Sequence, residues 1–166
     1  MNPPVEARRS RIGMGLFATR DIAPADTILR LEGQVLHWRA VLRRRGPSKD
    51  NCYRFGPETY LDPGDHVGRY ANHSCVPNAG VRKKRGTLYL FADRAIRAGA
   101  EICFDYSTLT GDDDVWTLRC RCDRRRCRGV IGNFGALPSS LRRRYLRRGL
   151  VPDYIVATLD PPVNAR

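Results

Sequence analysis

Three cysteines within eight residues constrain the fold of this 166-residue chain more than any other feature. Cys120, Cys122 and Cys127 have the short spacing of zinc ligands that one tight loop carries. A structural zinc ion takes four ligands, so this cluster is one ligand short, and the fold must bring the fourth from a distant part of the sequence. The candidates are the other cysteines and the histidines: Cys52, Cys75, Cys103, His37, His66 and His73.

Disulfide bonds are the alternative use of the cysteines, since six is an even number. The first residues lack the apolar segment of a secretory signal peptide, and no stretch approaches the roughly 20 apolar residues of a membrane span. We therefore predict an intracellular protein without membrane contact, cytoplasmic in a bacterium or nuclear and chromatin-associated in a eukaryote. Because thiols inside cells stay reduced, clustered cysteines there bind metal more often than they pair.

The basic residues are concentrated near the C-terminus. The chain has a formal net charge of +13, and residues 119–148 contain eleven arginines against one acidic residue, Asp123. Such a region can bind nucleic acid non-specifically through phosphate contacts, or it can be a solvated basic face. Composition leaves both interpretations open.

Many short apolar segments separated by turn residues predict a mainly β architecture with one domain and a small appendage. The chain has 15 glycines and 11 prolines, which favour turns over long helices. A basic turn is predicted over residues 82–86. The predicted extended segments are residues 10–36, 52–55, 60–61, 87–92 and 102–106.

Two helices are predicted. The first contains Trp38, Val41 and Leu42 at helical spacing and ends at Gly46-Pro47. The second runs over residues 139–148, with a serine cap at its start, Gly149 at its end, and Leu141, Tyr145 and Leu146 on one face. We expect the C-terminal tail to pack against the domain or to pair with a second copy, which leaves monomer and dimer open.

Residues 72–78, with the sequence Asn-His-Ser-Cys-Val-Pro-Asn, carry the densest set of hydrogen-bonding groups in the chain. Two asparagines, a histidine and a serine can offer donors and acceptors to a ligand, and Cys75 can offer a thiolate to a metal. We therefore predict a rigid, internally bonded loop at a functional site.

Several segments together resemble the signature blocks of SET-domain protein lysine methyltransferases that carry a post-SET zinc motif. These segments are residues 13–18, residues 69–78, residues 99–106 and the cysteine cluster, in that order. The resemblance covers roughly residues 8–134. It implies a mainly β, β-clip-like fold of small curled sheets with a pseudoknot, a zinc-bound post-SET segment and a short C-terminal helix. The implied divisions are a SET core over residues 8–107, a post-SET zinc motif over 116–134 and a helical tail over 137–166.

The resemblance also implies a site and an activity. Cys75 would complete one structural zinc site with Cys120, Cys122 and Cys127, and the ion would fasten the C-terminal segment over the active site. The activity would be methyl transfer from S-adenosylmethionine to an accessible lysine of a protein substrate, with a histone or a histone-like basic protein as the candidate.

By the same match, Tyr106 and Tyr53 would be catalytic, and Phe104 and Leu31 would line the lysine channel. Phe104 implies di- or trimethylation, whereas Leu31 stands where many relatives have a channel tyrosine. The alternative is a catalytically weak module of the same fold whose basic C-terminal region binds nucleic acid or an acidic protein. The implied cofactor contacts are Gly13, Met14, Gly15, Arg69, Tyr70, Asn72, His73 and Phe134, the last covering the adenine ring.

Overall fold

The computed structural model describes residues 3–44 and 51–159. Short strands dominate these ranges and confirm the mainly β prediction. The predicted helix end at Gly46-Pro47 lies outside the described residues. The strands are β1 (Val5–Ser10), β2 (Gly13–Ala18), β3 (Thr27–Leu31), β4 (Gln34–His37), β5 (Tyr53–Arg54), β6 (Thr59–Asp62), β7 (Asn72–His73), β8 (Ala79–Lys84), β9 (Thr87–Ala92), β10 (Cys103–Phe104), β11 (Leu118–Arg119) and β12 (Val130–Ile131). The helices are α1 (Trp38–Leu42), α2 (Ser139–Arg147) and α3 (Asp153–Val156), and 3-10 turns cover Val67–Tyr70 and Tyr106–Leu109.

These strands form several small sheets instead of one large one. The antiparallel sheets are β1-β2, β3-β9-β8, β4-β6-β5 and β11-β12. Strands β7 and β10 pair in parallel, with Asn72 opposite Cys103 and His73 opposite Phe104. This pairing brings the polar segment of residues 72–78 beside the segment that ends at Tyr106.

Strand β9 supplies much of the main hydrophobic core through buried apolar residues that alternate with partly exposed ones. Leu88 and Leu90 are fully buried and pack with Leu16, Ile28 and Val81 from neighbouring strands. Because successive side chains of a strand point to opposite faces, the apolar residues of β9 that alternate with Thr87 and Tyr89 line one continuous interior. This core does not contain the cysteine cluster, which packs separately with Ile131.

The predicted basic turn over residues 82–86 is wrong. Residues 82–84 continue β8 and pair with β9, and only Arg85 and Gly86 form the turn. Both have positive φ, +47° and +75°, as the two-residue type I′ hairpin turn requires. The basic side chains are compatible with a strand because this end of the hairpin faces solvent. The predicted strand over residues 102–106 is also shorter in the structure, because a 3-10 turn begins at Tyr106.

Helix α2 ends as predicted but begins differently. Its N-cap residue is Pro138, without a side-chain cap, so the predicted serine cap is wrong. At the other end the N–H of Leu150 donates to the carbonyl of Tyr145 and the N–H of Gly149 to that of Leu146, each at 3.0 Å, with Gly149 at φ +60°. This is a Schellman motif. Tyr145 is buried whereas Leu146 is exposed, because adjacent helical residues point about 100° apart.

The C-terminal segment packs against the domain. Phe91 from β9 joins Phe134, Tyr145, Leu150 and Ile155 in one buried cluster. Within residues 3–44 and 51–159, no helix has the length and apolar character needed to cross a membrane.

Candidate functional site

Asn72 ties the polar segment to the start of β2. Its side-chain amide donates to the carbonyl of Met14 at 2.9 Å and to the carboxylate of Glu101 at 2.8 Å. A Cβ atom at Gly15 would lie 2.5 Å from the same Glu101 carboxylate and 2.9 Å from the Cβ of Ser10, so glycine is favoured at that position. Gly13, with φ +119°, and Met14 are exposed, and a Cβ atom at Gly13 would meet nothing within 4 Å. Gly13 and Met14 therefore form a short open stretch of backbone that a ligand can approach, whereas Gly15 is buried.

The 3-10 turn Val67–Tyr70 packs against β1 and β2 and carries two further predicted cofactor residues. Arg69 lies 5.6 Å from the centre of the Tyr70 ring and 3.3 Å from the carboxylate of Asp65. Both side chains are half-buried. Arg69 also lines the large cleft that contains Tyr106.

The side chain of His73 points into the protein. Its Nδ1 accepts the N–H of Tyr106 at 3.2 Å, and its Nε2 lies 3.4 Å from the Sγ of Cys75. Burial lowers the pKa of His73 to about 4, so the imidazole is neutral. The structure therefore places this predicted cofactor residue as a link between the thiol cluster and Tyr106.

The cysteine cluster gathers residues that are far apart in sequence. Four possible ligand atoms lie within 4.8 Å of one another: the sulfur atoms of Cys75, Cys120 and Cys122 and a ring nitrogen of His73. Cys75 and Cys120 are separated by 3.6 Å, close to the roughly 3.8 Å expected between thiolates that bind one tetrahedral zinc ion at about 2.3 Å. The thiol of Cys127 interacts with those of Cys120 and Cys122.

Backbone N–H groups surround these sulfur atoms. Arg128 donates to the Sγ of Cys75 at 3.4 Å, Gly129 to that of Cys127 at 3.4 Å and Cys122 to that of Cys120 at 3.5 Å. Donors of this kind stabilise thiolates, the form of cysteine that binds metal. The converging ligand atoms belong to His73, Cys75, Cys120 and Cys122, and this donor set fits a structural zinc ion. The predicted set of four cysteines stays a prediction, with the Cys127 thiol beside those of Cys120 and Cys122.

A cleft of about 780 Å³ opens beside this cluster. The rings of Tyr53 and Phe104 are stacked with centres 5.7 Å apart, Phe104 and Tyr106 are 4.8 Å apart, and Tyr106 and Trp116 are 6.4 Å apart. The hydroxyl of Tyr53 donates to the carbonyl of Gly68 at 2.7 Å, and that of Tyr106 donates to the carbonyl of Ala71 at 2.9 Å. Burial raises the pKa of both phenols, so both hydroxyls stay protonated.

One wall of the cleft is an ion-pair network that the sequence did not reveal. Arg54 is 3% exposed and binds Asp113 at 2.5 and 2.7 Å and Asp114 at 2.9 Å. The hydroxyl of Tyr60 also donates to Asp114. The available signal was the run of three aspartates at residues 112–114 followed by Trp116, in a strongly basic chain.

Two predicted residues are not brought to an open site. Leu31 does not line the cleft but belongs to the main core, where it packs behind Gly68. Its position follows from β3, whose buried residues face the interior. Phe134 is fully buried in the C-terminal cluster, so a contact with adenine would require its ring to become exposed.

The family model of the SET domain matches residues 13–107, more than half of the chain. The chain belongs to the SET-domain family. In this SET-domain chain the match begins at β2 and includes Tyr106. Helix α2 and the loop of the predicted zinc ligands Cys120, Cys122 and Cys127, called the zinc loop below, lie beyond it.

This SET-domain chain is similar to three curated relatives from eukaryotes. It is 30% identical over 132 residues to a histone-lysine N-methyltransferase, H3 lysine-36 specific, of Yarrowia lipolytica, which covers 72% of the chain and 17% of the relative. It is 33% identical over 137 residues to the histone-lysine N-methyltransferase Set2 of Drosophila melanogaster, and the match covers 75% of the chain and 6% of the relative. It is 29% identical over 142 residues to the histone-lysine N-methyltransferase set-2 of Caenorhabditis elegans, and the match covers 76% of the chain and 9% of the relative. The chain thus spans less than a fifth of the length of these relatives.

Proposed function

We propose that this SET-domain chain is a protein lysine N-methyltransferase that uses S-adenosylmethionine and holds one structural zinc ion. The observation that carries the proposal is the cleft in which the rings of Tyr53 and Tyr106 flank that of Phe104. Tyr106 bonds to Ala71, and the next residue, Asn72, bonds to the backbone of Met14. Two successive residues, Ala71 and Asn72, therefore link the cleft to the open backbone that is proposed to bind the cofactor. The similarity to named histone-lysine N-methyltransferases supports the same activity.

The cleft can prepare a lysine amine for reaction. A lysine side chain has a pKa of about 10.4 and is mostly protonated at neutral pH, and only the neutral amine has a lone pair to donate. The aromatic walls formed by Tyr53, Phe104 and Trp116 remove water from the amine, which disfavours its charged form. The released proton would leave through the solvent-filled mouth of the cleft.

The two tyrosine hydroxyls would position the amine. Because each hydroxyl donates its proton to a backbone carbonyl, its oxygen keeps lone pairs that can accept an N–H from the substrate. Neutral phenols in this arrangement act as acceptors and not as bases. When bound, S-adenosylmethionine supplies a methyl group on a positively charged sulfur. Tyr106 and Tyr53 would hold the amine in line with that methyl group, so that the N–C bond forms as the S–C bond breaks.

Gly13, Met14, Gly15 and Asn72 would hold the cofactor. Gly13 and Met14 form the exposed backbone stretch, and the buried Gly15 and the side-chain amide of Asn72 support it. The zinc ligands Cys75, Cys120, Cys122 and Cys127 would hold residues 116–134 beside it. Two contacts favour this role. Trp116 packs on the cysteine cluster while lining the cleft, and Arg11 in the β1–β2 turn donates to the carbonyl of Arg121 in the zinc loop.

The substrate would be a protein with an accessible lysine, and a histone or a histone-like basic protein is the first candidate. The charged residues that line the cleft are Glu58, Asp113 and Asp114 against Arg54 and Arg69, an excess of one negative charge. Glu58, with 72% of its side chain exposed, supplies a carboxylate at the mouth that favours a basic peptide. Phe104 adds no hydroxyl to the channel, and we infer di- or trimethylation from it. The reduced thiols of the zinc cluster suit an intracellular location.

The test is transfer of isotope-labelled methyl groups from S-adenosylmethionine to histones and to proteins of a cell lysate. We expect methyl-lysine after acid hydrolysis of the labelled proteins. S-adenosylmethionine should also raise the melting temperature, because a ligand that binds only the folded state stabilises it. Absence of label from every protein, with cofactor binding intact, would exclude the proposed activity.

A second role concerns the basic face of α2. Arg143, Arg144 and Arg147 are exposed and form no ion pair among the residues that the structure describes. We propose that this face binds nucleic acid phosphates without sequence preference and brings the enzyme to its substrate. The affinity for duplex DNA should then fall steeply with salt, and a slope near zero would contradict a phosphate-dominated contact.

A further inference from the structure

The carboxylate of Asp105 is the most enclosed charged group next to the cleft. Its side chain has no exposed surface, and it receives hydrogen bonds on both oxygens. Oδ1 accepts from the N–H of Ser107 at 3.1 Å and from Arg128 at 2.7 Å. Oδ2 accepts from Arg128 at 2.8 Å and from the hydroxyl of Tyr145 at 2.9 Å. The buried charge is thus paired and almost completely hydrogen-bonded.

The partners of Asp105 come from three separate parts of the chain. Ser107 belongs to the 3-10 turn that begins at Tyr106, Arg128 follows the last cysteine of the zinc loop, and Tyr145 lies on α2. Burial raises the pKa of Tyr145, with Asp105 adding to the effect, so its hydroxyl stays protonated as a donor. Residue 145 lies outside the segment that matches the SET domain, so α2 adds a contact beyond that segment.

Asp105 immediately precedes Tyr106. The backbone of Tyr106 is held on one side by the bond from its N–H to His73 and on the other by the bond from the next N–H, that of Ser107, to Asp105. A shift of the Asp105 side chain would therefore move the turn that carries the Tyr106 ring into the cleft.

We propose that Tyr145 is a positioning residue: its hydrogen bond to Asp105 fixes the turn of Tyr106, and α2 thereby becomes part of the catalytic unit. The catalytic consequence rests on the proposed methyl transfer, whereas the structural link does not. A hydroxyl bound to an ionised acceptor makes a strong hydrogen bond, and small displacements of a reacting group are costly in rate.

The test compares Tyr145→Phe with Tyr154→Phe. Tyr154 lies on α3 in the same C-terminal segment, and its hydroxyl donates to the carbonyl of Arg54 at 2.8 Å, so each variant loses one hydroxyl bond of similar length. The phenylalanine ring keeps its place in the buried cluster, and circular dichroism will verify the fold. We expect Tyr145→Phe to lower kcat on the order of tenfold with KM for peptide and cofactor unchanged, while Tyr154→Phe keeps kcat within about twofold.

Hydrogen exchange of the amides of Tyr106 and Ser107, followed by NMR, gives a readout that does not need activity. Exchange should be faster in Tyr145→Phe than in the wild type and in Tyr154→Phe. Unchanged exchange would overturn the link between α2 and Tyr106, and faster exchange with unchanged kcat would overturn the positioning role. A wild-type protein that transfers no methyl group would refute the proposed function, and the exchange rates would still decide whether Tyr145 holds the turn.

Discussion

Replacement of Cys75 by serine should remove zinc and activity together while most of the β structure remains. Cys75 is the one thiol of the site that comes from the polar segment of residues 72–78, and its Sγ lies 3.6 Å from that of Cys120. A serine hydroxyl stays neutral and is a poor zinc ligand. The main hydrophobic core lies elsewhere in the sheets and does not include residue 75, so it should survive.

The size of the effect follows from the number of ligands. Structural zinc sites in small peptides bind with apparent free energies of about 10–16 kcal/mol, so an equal share for each of four ligands is about 3 kcal/mol. A loss of that size lowers zinc affinity by about two orders of magnitude. The segment that carries Trp116 would then lose its attachment, because Trp116 packs on the cysteine cluster.

Zinc content should be measured by mass spectrometry of the metal after dialysis against a chelator of known affinity, together with circular dichroism and methyl transfer. Cys103→Ser is the matched control, because Cys103 is 7% exposed, as closely buried as Cys75 at 8%, but lies outside the group of converging ligand atoms. We expect about one zinc ion per chain in the wild type and the control. Retention of that stoichiometry in Cys75→Ser would refute the assignment of Cys75 as a ligand.

Two further predictions use other surfaces. Gly15→Ala should weaken cofactor binding and cost about 1–3 kcal/mol of stability, because its Cβ would lie 2.9 Å from the Cβ of Ser10 and 3.0 Å from the Phe17 ring. Gly132→Ala, whose Cβ would meet nothing within 4 Å, should change little in calorimetry and thermal unfolding, and equal effects of the two variants would contradict the steric argument. Replacing Arg143, Arg144 and Arg147 by glutamine should reduce the slope of the logarithm of DNA affinity against the logarithm of salt concentration by about three at most. Methylation of a short peptide should stay unchanged. An unaltered DNA affinity would exclude this face as the contact.

Local patterns predicted the elements whose structure depends on their own residues. Strand β9 has the bounds expected from its apolar residues, Thr87–Ala92. Helix α2 ends just before Gly149, because glycine readily adopts the positive φ that the Schellman motif requires. The predictions were wrong where pairing with a neighbouring strand determines the local structure. Arg82 and Lys84 belong to a strand because β9 pairs with them, although their charge suggested a turn.

The candidate site shows the same division. Spacing alone predicts three zinc ligands and leaves six candidates for the fourth, and only the resemblance to a family favours Cys75 among them. The Asp105 network could not be predicted, because its partners Arg128 and Tyr145 lie 23 and 40 residues away and no periodic pattern links them. Burial of Phe134 likewise depends on the C-terminal cluster that forms only when the segment packs on β9.

The most direct measurement of the central claim is kcat for methyl transfer in Tyr106→Phe, with the dissociation constant of S-adenosylmethionine measured in parallel. Tyr89→Phe is the control, since Tyr89 lies on β9 and does not line the cleft. We predict that Tyr106→Phe lowers kcat by at least about 100-fold while cofactor affinity and the fold are kept, because the amine loses one of its two proposed acceptors. A kcat in Tyr106→Phe equal to that of Tyr89→Phe would contradict the account.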